Sequence, residues 1–303
     1  TAGPVVVTLD NGATITFAVG ATSATSTVFA IQGDDVYLDG ETLTLNASVT
    51  SGGSEFEDLT LDPSVAGVVS DTIDVVTVDL SATETVAEAG TITYTATLTG
   101  GVANNDITVT LANDEVITIR AGDASGTVEV AAPVDDGYVT DAITNSIASA
   151  VEAEGTAGAL ENLVVADDTS VSTDVTENAT ETAISLVDLA VVGGSGESTA
   201  TVTATIANAP TDGPVVVTLD NGATITFEVG ATSATSTAFA IQGDDVYLDG
   251  ETLTLTASVT SGGSEFENLT LDPSVDVVVS DTISPVTVDL SATETVAEDG
   301  TIT

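Results

Sequence analysis

Apolar and polar residues alternate along most of the chain with a period of two. In residues 91–98 (TITYTATL) the apolar side chains fall on one side and the threonines on the other, and residues 76–80 (VTVDL) alternate in the same way. Alternation of this kind, written with β-branched residues, is the pattern of a half-buried β-strand. Turn sequences such as NG, GG, DG and GDD interrupt it about every 8–12 residues, which predicts short strands in antiparallel sandwiches.

The chain also repeats itself. Residues 4–17 (PVVVTLDNGATITF) recur unchanged at 214–227, residues 31–45 recur at 241–255, and residues 76–88 (VTVDLSATETVAE) recur at 286–298. A weaker copy of the first segment lies at 106–119 (DITVTLANDEVITI). Such self-similarity marks an array of stacked modules of about 100 residues, a size sufficient for one β-sandwich core. One segment, 141–155, has some helical character, but its place in the repeat predicts a strand.

Acidic segments ending in VVSD or VVADD divide the repeats from one another. They predict an incomplete repeat at 1–73, complete repeats at 74–168 and 169–283, and the opening strand of a further repeat at 284–303. The fold class expected is all-β, with tandem immunoglobulin-like sandwiches in an elongated array. Since residue 1 lies inside a repeat and no Met or signal-like segment precedes it, we expect the chain to be a piece of a longer protein.

The charge is extremely one-sided, with 48 acidic residues, one basic residue and a formal net charge of −47. Because 42% of the residues are hydrophobic, the composition indicates a folded acidic chain and not a disordered one. Such a charge makes nucleic acid and anionic membranes poor partners and favours divalent cations. The absence of Cys excludes disulfides and thiolate sites, and no apolar run is long enough to cross a bilayer.

Acidic residues concentrate in one turn of every repeat and at the repeat boundaries. Adjacent carboxylates disfavour one another's ionisation unless a cation lies among them, and the absence of His and Cys points to a hard oxygen-binding ion, Ca²⁺ before Mg²⁺. The turn candidates are Asp34, Asp35, Asp39 and Glu41, with Asp135, Asp136 and Asp141, and Asp244, Asp245, Asp249 and Glu251. The boundary candidates are Asp71, Asp74, Asp167 and Asp168. A solvated acidic loop is the alternative.

Residues 11–45 resemble the Calx-beta module, with a G-T-x-x-F-x-x-G-like segment, an acidic run, and a Tyr-containing turn with Glu before the next strand. Residues 86–98 resemble that module's opening strand. The resemblance implies calcium ligands, drawn from the acidic turns, the boundaries and the opening strands: Asp34, Asp35, Glu41, Asp71, Glu88, Asp244, Asp245, Glu251, Asp281 and Glu298. The third repeat departs from this pattern, because Gly196 stands where Glu88 would fall. Glu177 and Glu197 lie near, and Glu177 is the candidate ligand there.

The acidic, Cys-free, Thr- and Val-rich repeats also resemble the extender regions of giant bacterial surface adhesins exported by type I secretion. This resemblance implies an extracellular stalk at the bacterial surface, stiffened by calcium at the linkers and supporting cell adhesion and biofilm formation. Its partners would be neighbouring repeats of the same chain, with no nucleic acid and no membrane insertion.

Two other functional classes compete with a stalk. A carbohydrate- or ice-binding sandwich is the alternative, since threonines alternate at 91–97 and 199–205, but only 3% of residues are aromatic. The recurring Tyr37, Tyr138 and Tyr247 are expected to pack over the acidic loop. An enzyme is not expected, because His and Cys are lacking and the acids recur in every repeat.

The two ends of the chain complement each other. The first repeat lacks opening strands and residues 284–303 supply one, so we expect head-to-tail association through this segment, although the counterparts of about nine residues would be missing at the joint.

Overall fold

The computed structural model describes residues 3–154, 158–192, 199–292 and 294–301. These residues form short β-strands and one 3₁₀ turn, Gly53–Glu55, and the predicted all-β class with antiparallel sandwiches is confirmed. The ambiguous segment 141–155 contains two strands, Ile143–Asn145 and Ile147–Glu152, as the repeat pattern predicts. No helix in the described ranges has the length and apolar character of a membrane span.

The chain forms two compact units that do not follow the repeat boundaries. Unit 1 comprises Thr1–Val86, Gly90–Ala132 and Ala142–Asp174. Unit 2 comprises Ala87–Ala89, Pro133–Asp141 and Val175–Thr303. The end of the second repeat's opening strand and its acidic turn are therefore part of the same compact body as the third repeat.

The first repeat, in unit 1, is a single antiparallel sheet. Its strands are β1 (Val5–Leu9), β2 (Thr14–Phe17), β3 (Glu41–Ser51) and β4 (Ser64–Val69). They are ordered β2-β1-β3-β4, and the small buried core is formed by Leu9, Ala13 and Leu45. On the outer face the hydroxyls of Thr8 and Thr50 bond each other at 2.8 Å, as those of Thr218 and Thr260 do at 2.7 Å in the third repeat.

The second repeat is a sandwich around one apolar core. Its strands are β5 (Val75–Ala82), β6 (Thr85–Ala87), β7 (Thr91–Thr99), β8 (Ile107–Leu111), β9 (Val116–Ile119), β10 (Ser125–Ala131), β11 (Ile143–Asn145), β12 (Ile147–Glu152), β13 (Asn162–Val165) and β14 (Val171–Thr176). One sheet has the order β10-β7-β5-β13, and two further ladders, β12-β8-β9 and β11-β14-β6, supply the opposite side. Alternate residues of β5, β7, β8 and β9 are buried between them, as the period-two pattern predicts.

The third repeat, in unit 2, has the same architecture. Its strands are β15 (Glu181–Val187), β16 (Leu189–Val192), β17 (Thr199–Ala200), β18 (Thr203–Ile206), β19 (Val215–Leu219), β20 (Thr224–Phe227), β21 (Ser233–Thr235), β22 (Phe239–Ala240), β23 (Glu251–Ser261), β24 (Asn268–Leu271) and β25 (Ser274–Ser280). The sheets are β21-β18-β15-β24 and β16-β25-β23-β19-β20, with β17 and β22 paired separately.

Each opening strand is divided between the two sheets of its sandwich. The first part pairs in parallel with a strand near the end of the repeat: β5 with β13, and β15 with β24. The second part lies on the other sheet, where β6 neighbours β14 and β16 pairs in parallel with β25. The opening segment thus joins the two sheets of the sandwich.

The second repeat extends further than the sequence predicted. Strand β14 pairs with β11 of the second repeat, and the third repeat opens only at β15, so the division lies after residue 176 and not between 168 and 169. In sequence, VVADD at 164–168 resembles VVSDT at 68–72, which closes the first repeat. Instead, Asp168 accepts a hydrogen bond from the Ser170 amide at 3.1 Å, which forms a turn, and the repeat continues into one more strand.

Candidate metal centre

Three acidic side chains converge in unit 2. Glu88 lies just after β6, Glu177 just after β14 and Glu267 just before β24. One carboxylate oxygen from each lies within 4.8 Å of the other two. Glu88 is buried and the other two are half-buried. Across the described residues, this is the group of three acidic side chains whose oxygens approach closely enough to share an ion.

Sharp turns place Glu88 and Glu177 side by side. The Glu88 amide donates to the Thr176 carbonyl at 3.2 Å, and Oε2 of Glu88 accepts a hydrogen bond from the Asn178 amide at 3.2 Å. Ala89, directly after Glu88, and Ala179, two residues after Glu177, have φ angles of 56° and 62°. Residues with a β-carbon rarely adopt this left-handed conformation, which costs roughly 1–2 kcal/mol, so the surrounding contacts must hold both turns in place.

Glu177 and Glu267 are fixed by the backbone in the same way. Oε1 of Glu177 accepts from the Thr140 amide at 2.7 Å, and Oε2 of Glu267 accepts from the Thr180 amide at 2.6 Å. The Glu267 amide in turn donates to the Gly137 carbonyl at 3.2 Å. Each of the three carboxylates therefore uses one oxygen to bind the backbone and has a second oxygen left over.

These second oxygens are the chemical signature of the site. Glu88 Oε1, Glu177 Oε2 and Glu267 Oε1 are all buried and accept no hydrogen bond. Burying an unpaired anionic oxygen is unfavourable, and three together repel one another. A divalent cation bound by the three free oxygens would remove both penalties. An all-carboxylate donor set is hard, which suits Ca²⁺ and does not match the nitrogen- and sulfur-rich sites of zinc.

The electrostatics of Glu88 agree with this geometry. Burial raises the pKa of its carboxyl above the usual range, and the negative charges of Glu267 and Glu177 raise it further. The hydrogen bond from the Asn178 amide acts in the opposite direction but is outweighed. Without a cation, the charged form of Glu88 is therefore disfavoured in the folded chain.

A tyrosine lies next to the carboxylates and holds the same two segments together. The Tyr138 hydroxyl donates to the Ala209 carbonyl at 2.7 Å, and its ring packs on Phe266 with centroids 5.3 Å apart. A β-bridge joins Tyr138 and Phe266, and the Val139 amide donates to the Glu265 carbonyl at 2.8 Å. We call this set, Tyr138, Val139, Ala209, Glu265 and Phe266, the tyrosine clamp.

The clamp recurs in unit 1 with different residues. The Tyr37 hydroxyl donates to the Val102 carbonyl at 2.9 Å, a β-bridge joins Tyr37 and Leu160, and the Leu38 amide donates to the Ala159 carbonyl at 2.8 Å. In both units the tyrosine of one repeat is thus bound to the repeat that follows it. The sequence predicted only that these tyrosines pack over the acidic loop.

Replacing Tyr138 with Phe tests the clamp. The change removes one hydrogen bond while keeping the ring on Phe266, so we expect unit 2 to lose about 1 kcal/mol of unfolding free energy, measured by urea denaturation. Tyr247 occupies the same place in the acidic turn of the third repeat but is 70% exposed. The matched control, Tyr247→Phe, should leave stability unchanged, and equal losses in both variants would contradict the role of the clamp.

Among the predicted ligands, the structure brings together Glu88 and Glu177 and adds Glu267, which the sequence analysis missed. A signal for Glu267 was present: Glu57, Glu161 and Glu267 stand at the same place in each repeat, before Asp-Leu or Asn-Leu. Glu161 also shares its geometry. Its Oε2 accepts from the Asp74 amide at 2.6 Å, and its Oε1 is buried without a hydrogen bond.

Several predicted ligands instead bind the backbone of their own turns. Asp35, Asp136 and Asp245 each accept a hydrogen bond from the amide two residues on, that of Tyr37, Tyr138 or Tyr247. A second group of predicted ligands accepts hydrogen bonds that connect the acidic turn to the end of the last strand of the repeat. Its contacts are Asp71 with the Gly40 amide, Asp281 with those of Asp249 and Gly250, Asp34 with that of Thr72, Asp244 with that of Thr282, and Asp135 with the Thr180 hydroxyl.

The remaining predicted ligands have exposed side chains outside the three-carboxylate group. They are Asp39, Glu41, Asp74, Asp141, Asp167, Asp168, Asp249, Glu251 and Glu298. Gly196 and Glu197, the third repeat's counterparts of the Glu88 position, lie outside the described residues.

The LapA domain profile matches the chain three times, at residues 1–72, 74–178 and 180–282. The chain belongs to the LapA domain family. The second match ends just after β14, in agreement with the strand pairing. Glu88 and Glu177 lie in the second LapA repeat, and Glu267 lies in the third. Two successive repeats therefore build the carboxylate group within unit 2.

Solved structures give more distant likenesses to these LapA repeats. One is described as a tetra-tandem repeat in the extending region of a large adhesion protein, with 17% identity and a TM-score of 0.37. That match covers 91% of this chain and 65% of the other. Fibronectin(III)-like modules of Clostridium thermocellum CbhA match with 14% identity and a TM-score of 0.21, covering 67% of this chain and 94% of theirs. A comparison with curated proteins finds no match.

Proposed function

We propose that the chain is an extender segment of a large bacterial surface adhesin, a structural stalk whose LapA repeats are tied to one another by Ca²⁺. The single observation that carries this proposal is the set of three buried, unpartnered carboxylate oxygens supplied by two successive repeats. An ion held by Glu88, Glu177 and Glu267 would bind the second repeat to the third. The tyrosine clamp recurs between the first and second repeats in unit 1, which supports the same arrangement at more than one repeat boundary.

The residues would act in two ways. Glu88, Glu177 and Glu267 supply negative oxygens, while the tyrosine clamp holds the two segments in register whether or not an ion is bound. Calcium, when bound, would neutralise the mutual repulsion of the carboxylates. Extracellular calcium modules typically bind at about 10⁻⁴–10⁻³ M, which is weak enough for the sites to be empty in the cytosol and filled outside the cell.

The rest of the proposed biology follows from the family and the composition. An extender works outside the cell, at the bacterial surface, and supports adhesion and biofilm formation without catalysing a reaction. Its partners are the neighbouring repeats of its own chain and, through residues 284–303, a second copy. The absence of His and Cys agrees with a structural role.

Small-angle scattering of the whole chain tests the calcium dependence. We expect a longer and narrower distribution of interatomic distances in millimolar Ca²⁺ than in chelator, because unneutralised carboxylates repel across the joint. Mg²⁺ at the same concentration is the control, since it dehydrates reluctantly and demands stricter geometry. Identical maximum dimensions in calcium and chelator would remove calcium stiffening from the proposal.

A further inference from the structure

The two repeat boundaries share one backbone arrangement but differ in the side chains that meet there. At each boundary, the residue before the clamp tyrosine lies close to the residue before the carbonyl that accepts the tyrosine's hydrogen bond. These residues are Val36 and Gly101 between the first and second repeats, and Gly137 and Asn208 between the second and third. A large residue therefore faces a glycine at both boundaries, but it comes from opposite sides.

The first boundary is apolar. Val36 is half-buried and packs against the core of the second repeat. A β-carbon on Gly101 would lie 3.0 Å from Cγ2 of Val36 and 3.3 Å from Cγ2 of the fully buried Val76. Carbon atoms in contact prefer separations of about 3.5–4.0 Å. Because the φ of Gly101 is not positive, this glycine is needed for the space it leaves and not for its backbone conformation.

The second boundary is polar. Nδ2 of Asn208 donates to Oγ1 of Thr182 at 3.1 Å, and Thr182 is completely buried. Thr182 is the second residue of β15, as Val76 is of β5, so the two occupy the same place in their repeats. A β-carbon on Gly137 would lie 2.7 Å from Nδ2 of Asn208. Gly137 also has a φ of 84°, which a valine adopts only with strain.

Three positions thus change together between the two boundaries. We call Val36, Val76 and Gly101 the apolar trio, and Gly137, Thr182 and Asn208 the polar trio. Each trio fits only as a set. A valine in the turn would overlap the Asn208 amide and leave the Thr182 hydroxyl buried without a partner, which is unfavourable. A glycine in the turn would leave a cavity beside Val76 and Gly101.

We propose that these trios determine which LapA repeat can follow which. The clamp supplies the contacts common to both boundaries, and the trio distinguishes the correct neighbour from the wrong one. The distinction is needed because residues 31–45 and 241–255, which contain the turns of the first and third repeats, are identical. Tandem repeats this similar are prone to docking in the wrong order. A turn that carries valine is accepted by a repeat with the Val-Gly pair and rejected by one with the Thr-Asn pair.

A double-mutant cycle at the first boundary tests the proposal. The readout is hydrogen exchange in peptides spanning residues 36–38 of the whole chain, because the Leu38 amide donates across the boundary to the Ala159 carbonyl at 2.8 Å. Gly101→Asn should accelerate this exchange about tenfold or more, since it overpacks the contact with Val36. Adding Val36→Gly restores the space, so exchange in the double variant should lie within about threefold of that in Val36→Gly alone. Working in chelator makes the result independent of the proposed calcium ion.

Two further variants at glycine positions control for folding and for the substitution itself. Gly33→Asn makes the same change in the same repeat's acidic segment, where a β-carbon would meet no atom within 4 Å, and should exchange as the parent does. Gly101→Ala adds only the β-carbon, so it provides the same cycle with a smaller effect where Gly101→Asn prevents unit 1 from folding.

The second boundary gives an independent measurement. Asn208→Ala removes the partner of the Thr182 hydroxyl and should accelerate exchange at residues 137–139, whose Val139 amide donates to the Glu265 carbonyl. Three results would each overturn the proposal. They are unchanged exchange at 36–38 in both Gly101 variants, equal acceleration with and without Val36→Gly, and equal acceleration in Gly33→Asn.

Discussion

Replacing Phe227 with Ala should destabilise unit 2 by about 3–5 kcal/mol, whereas the same change at Phe17 should cost only about 1 kcal/mol. Both residues end the identical segment PVVVTLDNGATITF. Phe227 is completely buried among β15, β18 and β19 residues, while Phe17 is only half-buried in the first repeat. The difference is therefore one of tertiary packing alone.

Urea denaturation followed by circular dichroism measures both effects. Because the chain has two compact units, the unfolding curve must be fitted with more than one transition, and each variant should shift only the transition of its own unit. Thr226→Ala and Thr16→Ala, which change the preceding residue, serve as controls for the loss of a β-branched residue. Similar losses in Phe227→Ala and Phe17→Ala would contradict the difference in burial between the two residues.

The identical segments also show what a sequence can and cannot reveal. Alternation and turn residues were sufficient to predict the strands and the sandwich class, and the place of 141–155 in the repeat predicted its strand character. They were not sufficient to predict burial, since Val78 and Val288 have the same neighbours in sequence but are 0% and 82% exposed. Burial depends on whether a partner sheet is present, and this is a property of the array and not of the segment.

The candidate site was half predictable for a related reason. The sequence points to Glu88 and Glu177, which the structure brings together, but it also points to residues such as Asp35 and Asp136, whose oxygens accept hydrogen bonds from nearby amides. A high local density of carboxylates does not by itself indicate a shared metal site, because neighbouring acidic side chains can each accept a hydrogen bond from a nearby backbone amide. Glu267 is contributed by the following repeat, and contacts between repeats, including the tyrosine clamp and the hydrogen bond from the Glu267 amide to the Gly137 carbonyl, bring it to the other two.

The predicted repeat boundary between residues 168 and 169 differs from the boundary in the structure because the ends of two different strands have similar sequences. VVADD ends β13 and VVSDT ends the first repeat's last strand, and both join a β-branched run to an acidic turn. Only the pairing partner distinguishes them, and the pairing of β14 with β11 is long-range information. Repeat boundaries at acidic turns therefore need the sheet order as well as the motif.

Calcium should raise the melting temperature of unit 2, and Glu267→Gln should remove most of that increase. At a calcium concentration 100 times Kd, an ion that binds only the folded state stabilises it by about 2.7 kcal/mol. Gln keeps the shape of Glu267 but removes one negative charge from the group of three. Glu57→Gln is the matched control, because Glu57 stands in the same Ser-Glu-Phe-Glu sequence with an exposed side chain.

The difference in stability between Glu267→Gln and the parent chain should change sign between chelator and calcium. In chelator the three carboxylates repel one another, so the variant should be at least as stable as the parent chain; in calcium it should be less stable. In chelator, lowering the pH should also stabilise the folded chain, because protonation removes a negative charge from the three carboxylates. The raised pKa of Glu88 means that stability in chelator is greatest below its usual pKa and falls as the pH rises through the raised value, with Glu177 and Glu267 facing the titrating group.

With calcium bound, acid should instead weaken the site, since protonating Glu88 competes with the ion. A loss of stability in Glu267→Gln that is equal in calcium and in chelator would have a different meaning. It would show that Glu267 acts through its hydrogen bond from the Thr180 amide, which Gln can also accept, and not through an ion. Differential scanning calorimetry of the parent chain, Glu267→Gln and Glu57→Gln, each in calcium and in chelator at two pH values, distinguishes these cases because only ion binding couples the charge of Glu267 to the presence of calcium.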